Sequence, residues 1–346
     1  MRILLSAGVD LSLPGGLETH VLELSRHLTS RGHEVEILAR PGHLPPHRLV
    51  AAPAPAGYDI LHHHGGPWPE SVAGPAHRVR TFHFSVAAKM ETYVRMGRLR
   101  TLVNPANYRA LAEERASLRR AGSWIAVSRA LAEDLARLHR VESGRFHVIP
   151  NGASFDPPRE GRDAWRRKHG IAPDTVVLLT IGRKDYVKGF DLLERVWDEP
   201  ADLSRDVIWV TVGGGSPSRR ERRIVTGPLP HTDVIEWIHA ADLGAVPSYY
   251  EGGGIALLDM LAGGLYVLTH DVGVASDVVR SGQNGEMLPR TPRAWRQALQ
   301  RVLRTPPGRI RNSIGDDYRW DEISARVETV YREAIMLHCR PCASSS

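Results

Sequence analysis

Cysteine is nearly absent from this chain of 346 residues, which carries only Cys339 and Cys342, both in the closing stretch HCRPCASSS. Their spacing is half of a zinc site, and no second ligand pair accompanies it. A redox CxxC stands at a helix start beside a sheet rather than in a frayed end, so residues 338–346 are expected to be disordered and without catalytic use. Long apolar runs are missing too. No stretch has the length that a membrane span requires, and the start, MRILLS, turns polar too soon for a secretion signal and reads as a first strand. The expected location is therefore cytoplasmic, with contact at a membrane surface left open. Lysine is scarce beside arginine, and the net charge is +6 with a pI of about 9.5. Arg219, Arg220, Arg222 and Arg223, with Arg95, Arg98 and Arg100 elsewhere, raise a nucleic-acid reading. Zinc-finger spacing, an aromatic RNP-like strand and a helix-turn-helix cue are all lacking, so no nucleic-acid partner is expected. A modest positive balance serves anionic small substrates or anionic lipids equally well. Nor does an aspartate-rich metal loop follow any strand.

What is present is ordinary globular composition, 42% hydrophobic and 24% charged, in a chain long enough for two full cores. Arg2–Ser6 reads as a strand, and Gly8–Gly16 as a polar loop. Leu17, Val21, Leu24 and Leu28 form a helical stripe that Gly32 ends, and Val35, Ile37 and Ala39 alternate as a second strand. This is a βαβ unit, and a parallel sheet follows from it. Gly15 and Gly16 stand where the loop meets the helix, but the third glycine of a dinucleotide fingerprint is missing, which weakens an oxidoreductase reading. Residues 41–57 read as loop and 58–63 as a strand. His62, His63 and His64 are successive on that strand and point to alternate faces, so they read as structural rather than as one metal cluster. Val79–Phe84 is a strand with His83 near its end, where an open sheet presents ligands. Residues 86–106 show no clear pattern and are expected to form a flexible acceptor-side element. A helix from Tyr108, a strand at Trp124–Val127, a Ser128-capped helix and a strand at Phe146–Ile149 complete the first half.

The second half repeats the pattern. A strand at Val176–Ile181 runs into Gly182-Arg183-Lys184-Asp185-Tyr186-Val187-Lys188-Gly189, and a helix with Phe190, Leu193, Val196 and Trp197 follows. Strands at Val207–Val212 and Arg223–Thr226 leave too little chain between them for a full helix. The stretch Ala241–Leu288 carries the densest signal. Leu243–Val246 is a buried strand, Glu251 stands at the end of the turn after it, and Gly252, Gly253 and Gly254 precede a helix holding Ile255, Leu258 and Asp259. A carboxylate, bare backbone and free helix N–H groups meet there, a place suited to hold hydroxyls and a phosphate together.

In order along the chain, the GGLETHVLELSRHLTSRGHEV run, His83, Pro150-Asn151-Gly152, the Gly182–Gly189 loop, the Glu251 stretch and the Tyr318-Arg319-Trp320 helix resemble the family 4 glycosyltransferases of GT-B fold (glycosyltransferase group 1, retaining). The resemblance covers roughly residues 1–335. It implies an α/β protein of two doubly wound, Rossmann-like domains facing across a cleft. Residues 1–156 would form the acceptor-side domain, with helix 320–337 crossing back to it, and 157–319 the nucleotide-sugar-binding domain. By the same resemblance Arg183 and Lys188 pair with the donor's diphosphate, and Gly227 and Leu229 lie where backbone meets the nucleobase. Glu251 accepts from the donor sugar while N–H groups around Gly252, Gly253, Gly254 and Ile255 donate to it. Asp259 holds the ribose hydroxyls, His83 contacts the sugar's hydroxymethyl group, and Gly15 and Gly16 approach the phosphates and sugar. Two positions depart from the family pattern: Gly253 stands for its usual aromatic and Asp259 for its second glutamate.

The expected function is retaining transfer of a hexosyl unit from a nucleotide-diphosphate sugar, UDP- or GDP-linked, to a hydroxyl acceptor that is a glycan, a lipid-linked sugar or a small molecule. Two cations and a helix N-terminus can absorb the leaving group's charge, so neither metal nor other cofactor is expected. A peripheral contact with anionic membrane is compatible. The alternatives are a nucleotide-sugar epimerase or a glycan phosphorylase on the same scaffold, or a catalytically weak nucleotide-sugar-binding protein.

Overall fold

The computed structural model describes every residue except 40–46, 51–56, 67, 70–76, 199–205, 306, 311 and 339–346. The tail expected to be disordered therefore lies outside the described residues, apart from His338, which ends the last helix. The described chain divides into two compact units, Met1–Asn151 with Trp320 onward, and Gly152–Arg319.

The first unit is built on β1 (Arg2–Ala7), β2 (Glu34–Leu38), β3 (Leu49–Val50), β4 (Ile60–Gly65), β5 (His77–Phe82), β6 (Ser123–Ala126) and β7 (Phe146–Val148). Their order in the sheet is β3-β2-β1-β4-β5-β6-β7, all parallel. Helices α1 (Gly16–Ser30), α2 (Val86–Arg95), α3 (Pro105–Arg120) and α4 (Arg129–His139) connect them. Ile3 and Leu5 pack into one cluster with Val21, Leu24 and Leu28 of α1, whereas Leu4 joins Tyr58 and Leu61 in another. Neighbouring residues of one strand thus feed cores on opposite faces, as the period of two requires.

Two stretches of this unit differ from expectation. β3 lies inside the segment read as loop; its two residues pair with Ile37 and Leu38 of β2 at the sheet edge. Residues 86–106, expected to be flexible, form α2 and a 3-10 turn, Leu99–Val103. The physical reason is capping. Ser85 Oγ accepts from Ala88 N–H, and the buried Glu114 carboxylate of α3 accepts from the N–H groups of Val86 and Ala87. A carboxylate at a helix N-terminus satisfies donors and complements the dipole, and this one comes from elsewhere in the chain.

The second unit repeats the plan with α5 (Arg162–Lys168), β8 (Val176–Gly182), α6 (Phe190–Asp198), β9 (Val207–Arg220), β10 (Arg223–Gly227) and α7 (His231–Ala240). It continues through β11 (Leu243–Val246), α8 (Ile255–Ala262), β12 (Tyr266–Thr269), α9 (Ala275–Val278), β13 (Gly285–Met287) and α10 (Pro292–Arg304). The sheet order is β10-β9-β8-β11-β12-β13. Val177 and Leu179 of β8 face the cluster with α7 and α8, while Val176 and Leu178 face Leu193, Trp295 and Leu299 of α6 and α10. Helices therefore cover both faces, the doubly wound arrangement of an α/β sheet.

No helix stands between β9 and β10. β9 instead extends past its glycines, and Ile224 of β10 faces both Val210 and Arg219, with the second set of partners falling in number as β10 advances. That falling register is a hairpin, made by the arginine-rich residues 216–225. The last helix, α11 (Trp320–His338), returns to the first unit, where Ile323, Val327, Val330 and Tyr331 pack with α1.

Candidate functional site

In the second sheet β8 lies between β9 and β11, so the direction of winding reverses at the β8–β11 boundary. Ligands of open α/β sheets bind beyond the strand C-termini at such a reversal. The two loops that leave these ends are Gly182–Gly189, after β8, and Pro247–Gly254, after β11. They are the two that carry the charged residues singled out in the sequence.

The loops are fastened together through backbone. Tyr249 N–H donates to Val187 O at 2.7 Å. Gly189 has φ +68, and a Cβ there would stand 1.9 Å from Pro247 O, so the loops can approach this closely only through a glycine. Asp185 caps the short 3-10 turn Tyr186–Lys188 by accepting from Val187 N–H at 3.2 Å. This turn aims Lys188 at the second loop. Its Nζ donates to Glu251 Oε1 at 2.6 Å, and Ser248 Oγ donates to the same oxygen at 2.8 Å. Glu251 Oε2 accepts no hydrogen bond among the described residues, which leaves it for an incoming hydroxyl. Arg183 is exposed and has no ion pair or hydrogen bond among the described residues.

Behind Glu251 runs a chain of donors that sequence reasoning missed. Trp295 Nε1–H donates to His270 Nε2 at 2.9 Å, and the ring's Nδ1–H donates to Ser248 O at 3.0 Å. Burial lowers the His270 pKa to about 4, so the ring stays neutral and its tautomer is fixed by these partners. Ser248, held at its carbonyl, presents its hydroxyl to Glu251. Nothing in the local sequence marks His270 for this; the connection exists only because β12 lies beside β11.

Gly254, with φ +64, turns the chain into α8 and supplies no side-chain cap, so the first N–H groups of that helix have no intrahelical partner. Gly252 and Gly253 are buried and Ile255 partly so. Asp259 sits inside α8, 3% exposed. Its Oδ1 accepts from Ser154 N–H at 2.8 Å and its Oδ2 pairs with His231 Nε2 at 2.9 Å. A ribose at Asp259 would have to share oxygens already taken by protein donors. Gly227, φ +73, ends β10, and Leu229 packs partly buried against the core before α7.

The first unit holds the remaining residues. Gly15 precedes α1 without a side-chain cap, and the Glu18 carboxylate lies where a Cβ on Gly15 would meet its Oε2 at 2.1 Å. An acidic group at this helix start suits a hydroxyl better than a phosphate near Gly15 and Gly16. His83 follows β5 directly, and its Nε2 lies 3.1 Å from His64 Nδ1. His62 bonds Tyr331 Oη at 2.6 Å and Thr81 Oγ1 at 2.7 Å, whereas His63 faces Ser6 and the Gly66 carbonyl. The His62 and His64 ring centroids lie 4.0 Å apart, but His63 bonds elsewhere, so the three successive histidines do not meet at one point.

The two halves of the chain match separate family models: residues 44–156 that of Glycosyltransferase Family 4, and residues 161–319 that of Glycosyl transferases group 1. The chain belongs to the family 4 glycosyltransferases. As a glycosyltransferase it is similar along most of its length to proteins named D-inositol 3-phosphate glycosyltransferase. The one from Xylanimonas cellulosilytica is 29% identical, over 92% of this chain and 92% of that protein. The one from Streptosporangium roseum is 27% identical, over 96% and 92%. Among solved structures, sucrose-phosphate synthase from Thermosynechococcus elongatus has a TM-score of 0.76 at 21% identity, covering 97% of this chain and 99% of that one. Anabaena Alr3699/HepE, solved in complex with UDP-glucose, has a TM-score of 0.68 at 15% identity, covering 98% and 99%. The fold is thus GT-B, and the enzyme is a glycosyltransferase. No helix among the described residues is long and apolar enough to cross a membrane.

Proposed function

We propose that this glycosyltransferase moves a hexosyl unit from a UDP- or GDP-sugar to a hydroxyl with retention of anomeric configuration and without a metal. The observation that carries the reading is the Lys188–Glu251 contact of 2.6 Å beside the uncapped start of α8, at the winding reversal of the second sheet. A bound diphosphate supplies Lys188 with a second anionic partner, and the exposed Arg183 with a first. Glu251 then keeps Oε2 for the sugar's hydroxyls while Ser248 and His270 hold its orientation.

In the reaction the bond between the anomeric carbon and the phosphate oxygen breaks, and its electron pair leaves with the nucleoside diphosphate. The acceptor oxygen bonds to the same face, and its proton passes to an oxygen of the departing phosphate. Charge grows on that phosphate as the bond breaks, so fixed cations and helix N–H groups aimed at it are worth more in the transition state than in the ground state. The acceptor to try first is an inositol phosphate, since the related enzymes carry that name and a chain of net charge +6 favours an anionic substrate.

Replacing Lys188 or Arg183 by Ala tests this. Each change is expected to lower kcat/KM by a factor corresponding to about 2–4 kcal/mol, with loss in kcat as well as KM. A Lys188→Ala enzyme with unchanged kcat/KM would mean that the Gly182–Gly189 loop is a solvated turn and that the donor is held elsewhere.

A further inference from the structure

Three histidines from distant parts of the sequence meet in the first unit. His20 comes from α1, His64 from β4 and His83 from the residue after β5. Their ring centroids stand 5.3 Å apart for His20–His64, 4.6 Å for His20–His83 and 5.4 Å for His64–His83. One ring nitrogen from each lies within 4.8 Å of the other two. We propose that His20, His64 and His83 form a binding site for a divalent transition metal, Zn²⁺ foremost.

The strongest support is what the rings lack. His20 and His64 are 2% and 1% exposed, and Nε2 of each is buried without a hydrogen-bond partner among the described residues. Their neighbour His62, equally buried, has both nitrogens satisfied by Tyr331 and Thr81. Buried polar atoms are normally paired, and a pair of unpaired imidazole nitrogens in one cluster is the donor set a metal would satisfy. His20 Nδ1 lies 2.9 Å from Asn151 Oδ1. An amide oxygen only accepts, so Nδ1 carries the proton and Nε2 presents its lone pair. Metal-bound histidines are oriented in this way, through their second nitrogen.

The ligand chemistry selects the ion. Three neutral imidazoles with no carboxylate suit zinc, cobalt, nickel or copper, and not magnesium or calcium. Burial holds the rings neutral, with His20 lowered to about 4 and His64 and His83 well below the ordinary value. Zinc–nitrogen bonds of about 2.0–2.1 Å require tetrahedral ligands about 3.3 Å apart, so the widest pair closes by roughly 1.5 Å on binding. Rotation of His83, partly exposed and with one side-chain hydrogen bond among the described residues, 3.1 Å to His64, supplies that movement. Where His83 serves the transfer reaction, as the family resemblance implies, occupancy removes its lone pair and zinc inhibits transfer. That consequence rests on the proposed function; the binding does not.

The test is calorimetric titration of the EDTA-stripped full chain with ZnCl₂, in a background where Cys339 and Cys342 are both replaced by Ser. One tight equivalent is expected there, lost in His64→Gln and weakened about 10–100-fold in Asn151→Ala. Tight binding that survives His64→Gln, or that disappears when the two cysteines alone are replaced, overturns the proposal. Should His64→Gln fail to fold, X-ray absorption of the zinc-loaded cysteine-free chain decides. Three imidazole nitrogens in the first coordination sphere uphold the site, and oxygen-dominated coordination rejects it. Turnover does not enter these readouts, so a failed metal site and a failed transferase reading are told apart.

Discussion

At the scale of single residues, the two carboxylates of the Glu251 stretch are held in different ways. Glu251 keeps one oxygen unengaged among the described residues and is 15% exposed at its side chain, while Asp259 is buried with both oxygens engaged by Ser154 and His231. A contact made equally in ground and transition states governs affinity, and one that strengthens as the bond breaks governs rate. Glu251→Gln is therefore expected to depress kcat strongly. Asp259→Asn is expected to raise the donor KM with kcat nearly kept, through the ribose or through displaced His231. Steady-state kinetics with donor titrated at saturating acceptor separates the two. A donor KM unchanged in Asp259→Asn would make Asp259 a purely internal tie between α8 and the 152–156 segment.

Elements were legible wherever their cause was local. Ser128 caps α4 within the stretch it organises, and the start read from sequence is the one observed. α2 was missed although Ser85 caps it locally, because the carboxylate that satisfies its first two N–H groups, Glu114, lies 28 residues beyond Val86. The His270–Ser248 support for Glu251 was illegible for the same reason: its two members meet only across the β11–β12 pairing. The Gly182–Gly189 loop was readable because spacing fixes it, and the chain's few lysines include Lys184 and Lys188 there. One element-scale prediction follows from the close approach of this loop to the next. Gly189→Ala adds a Cβ that would stand 1.9 Å from Pro247 O at a φ of +68, so the loops must separate. A lower Tm and a loss of activity are both expected, because Lys188 is then no longer held against Glu251. A Gly189→Ala enzyme with wild-type Tm and kcat/KM would show that the clamp between the loops is dispensable.

For the molecule as a whole, both units bury neutral histidines. His20 is lowered to about 4 and His63 to about 3 in the first, and His270 to about 4 in the second. Each folded ring resists the proton that the unfolded chain takes up near pH 6.5, so the stability is full above that pH and is lost as pH falls toward 4. For His270 alone the loss amounts to about 3 kcal/mol. Glu328, lowered to about 2, begins to lose its contribution only below about pH 4.5 and does not account for a fall that starts near 6.5. Urea midpoints should drop steadily from pH 7 to 4.5, and a flat profile over that range would contradict the buried neutral rings.

The fold and the transferase chemistry rest on a chain 346 residues long whose site needs, on this account, no ion at the reacting phosphate. One measurement addresses that directly: proton NMR of the reaction with a UDP- or GDP-hexose, α-linked at the anomeric carbon, and an inositol phosphate, in excess EDTA. The account predicts a product whose anomeric proton shows the α configuration of the donor, formed at an undiminished rate. A β-configured product, or transfer that stops in EDTA and resumes with magnesium or manganese, would contradict it.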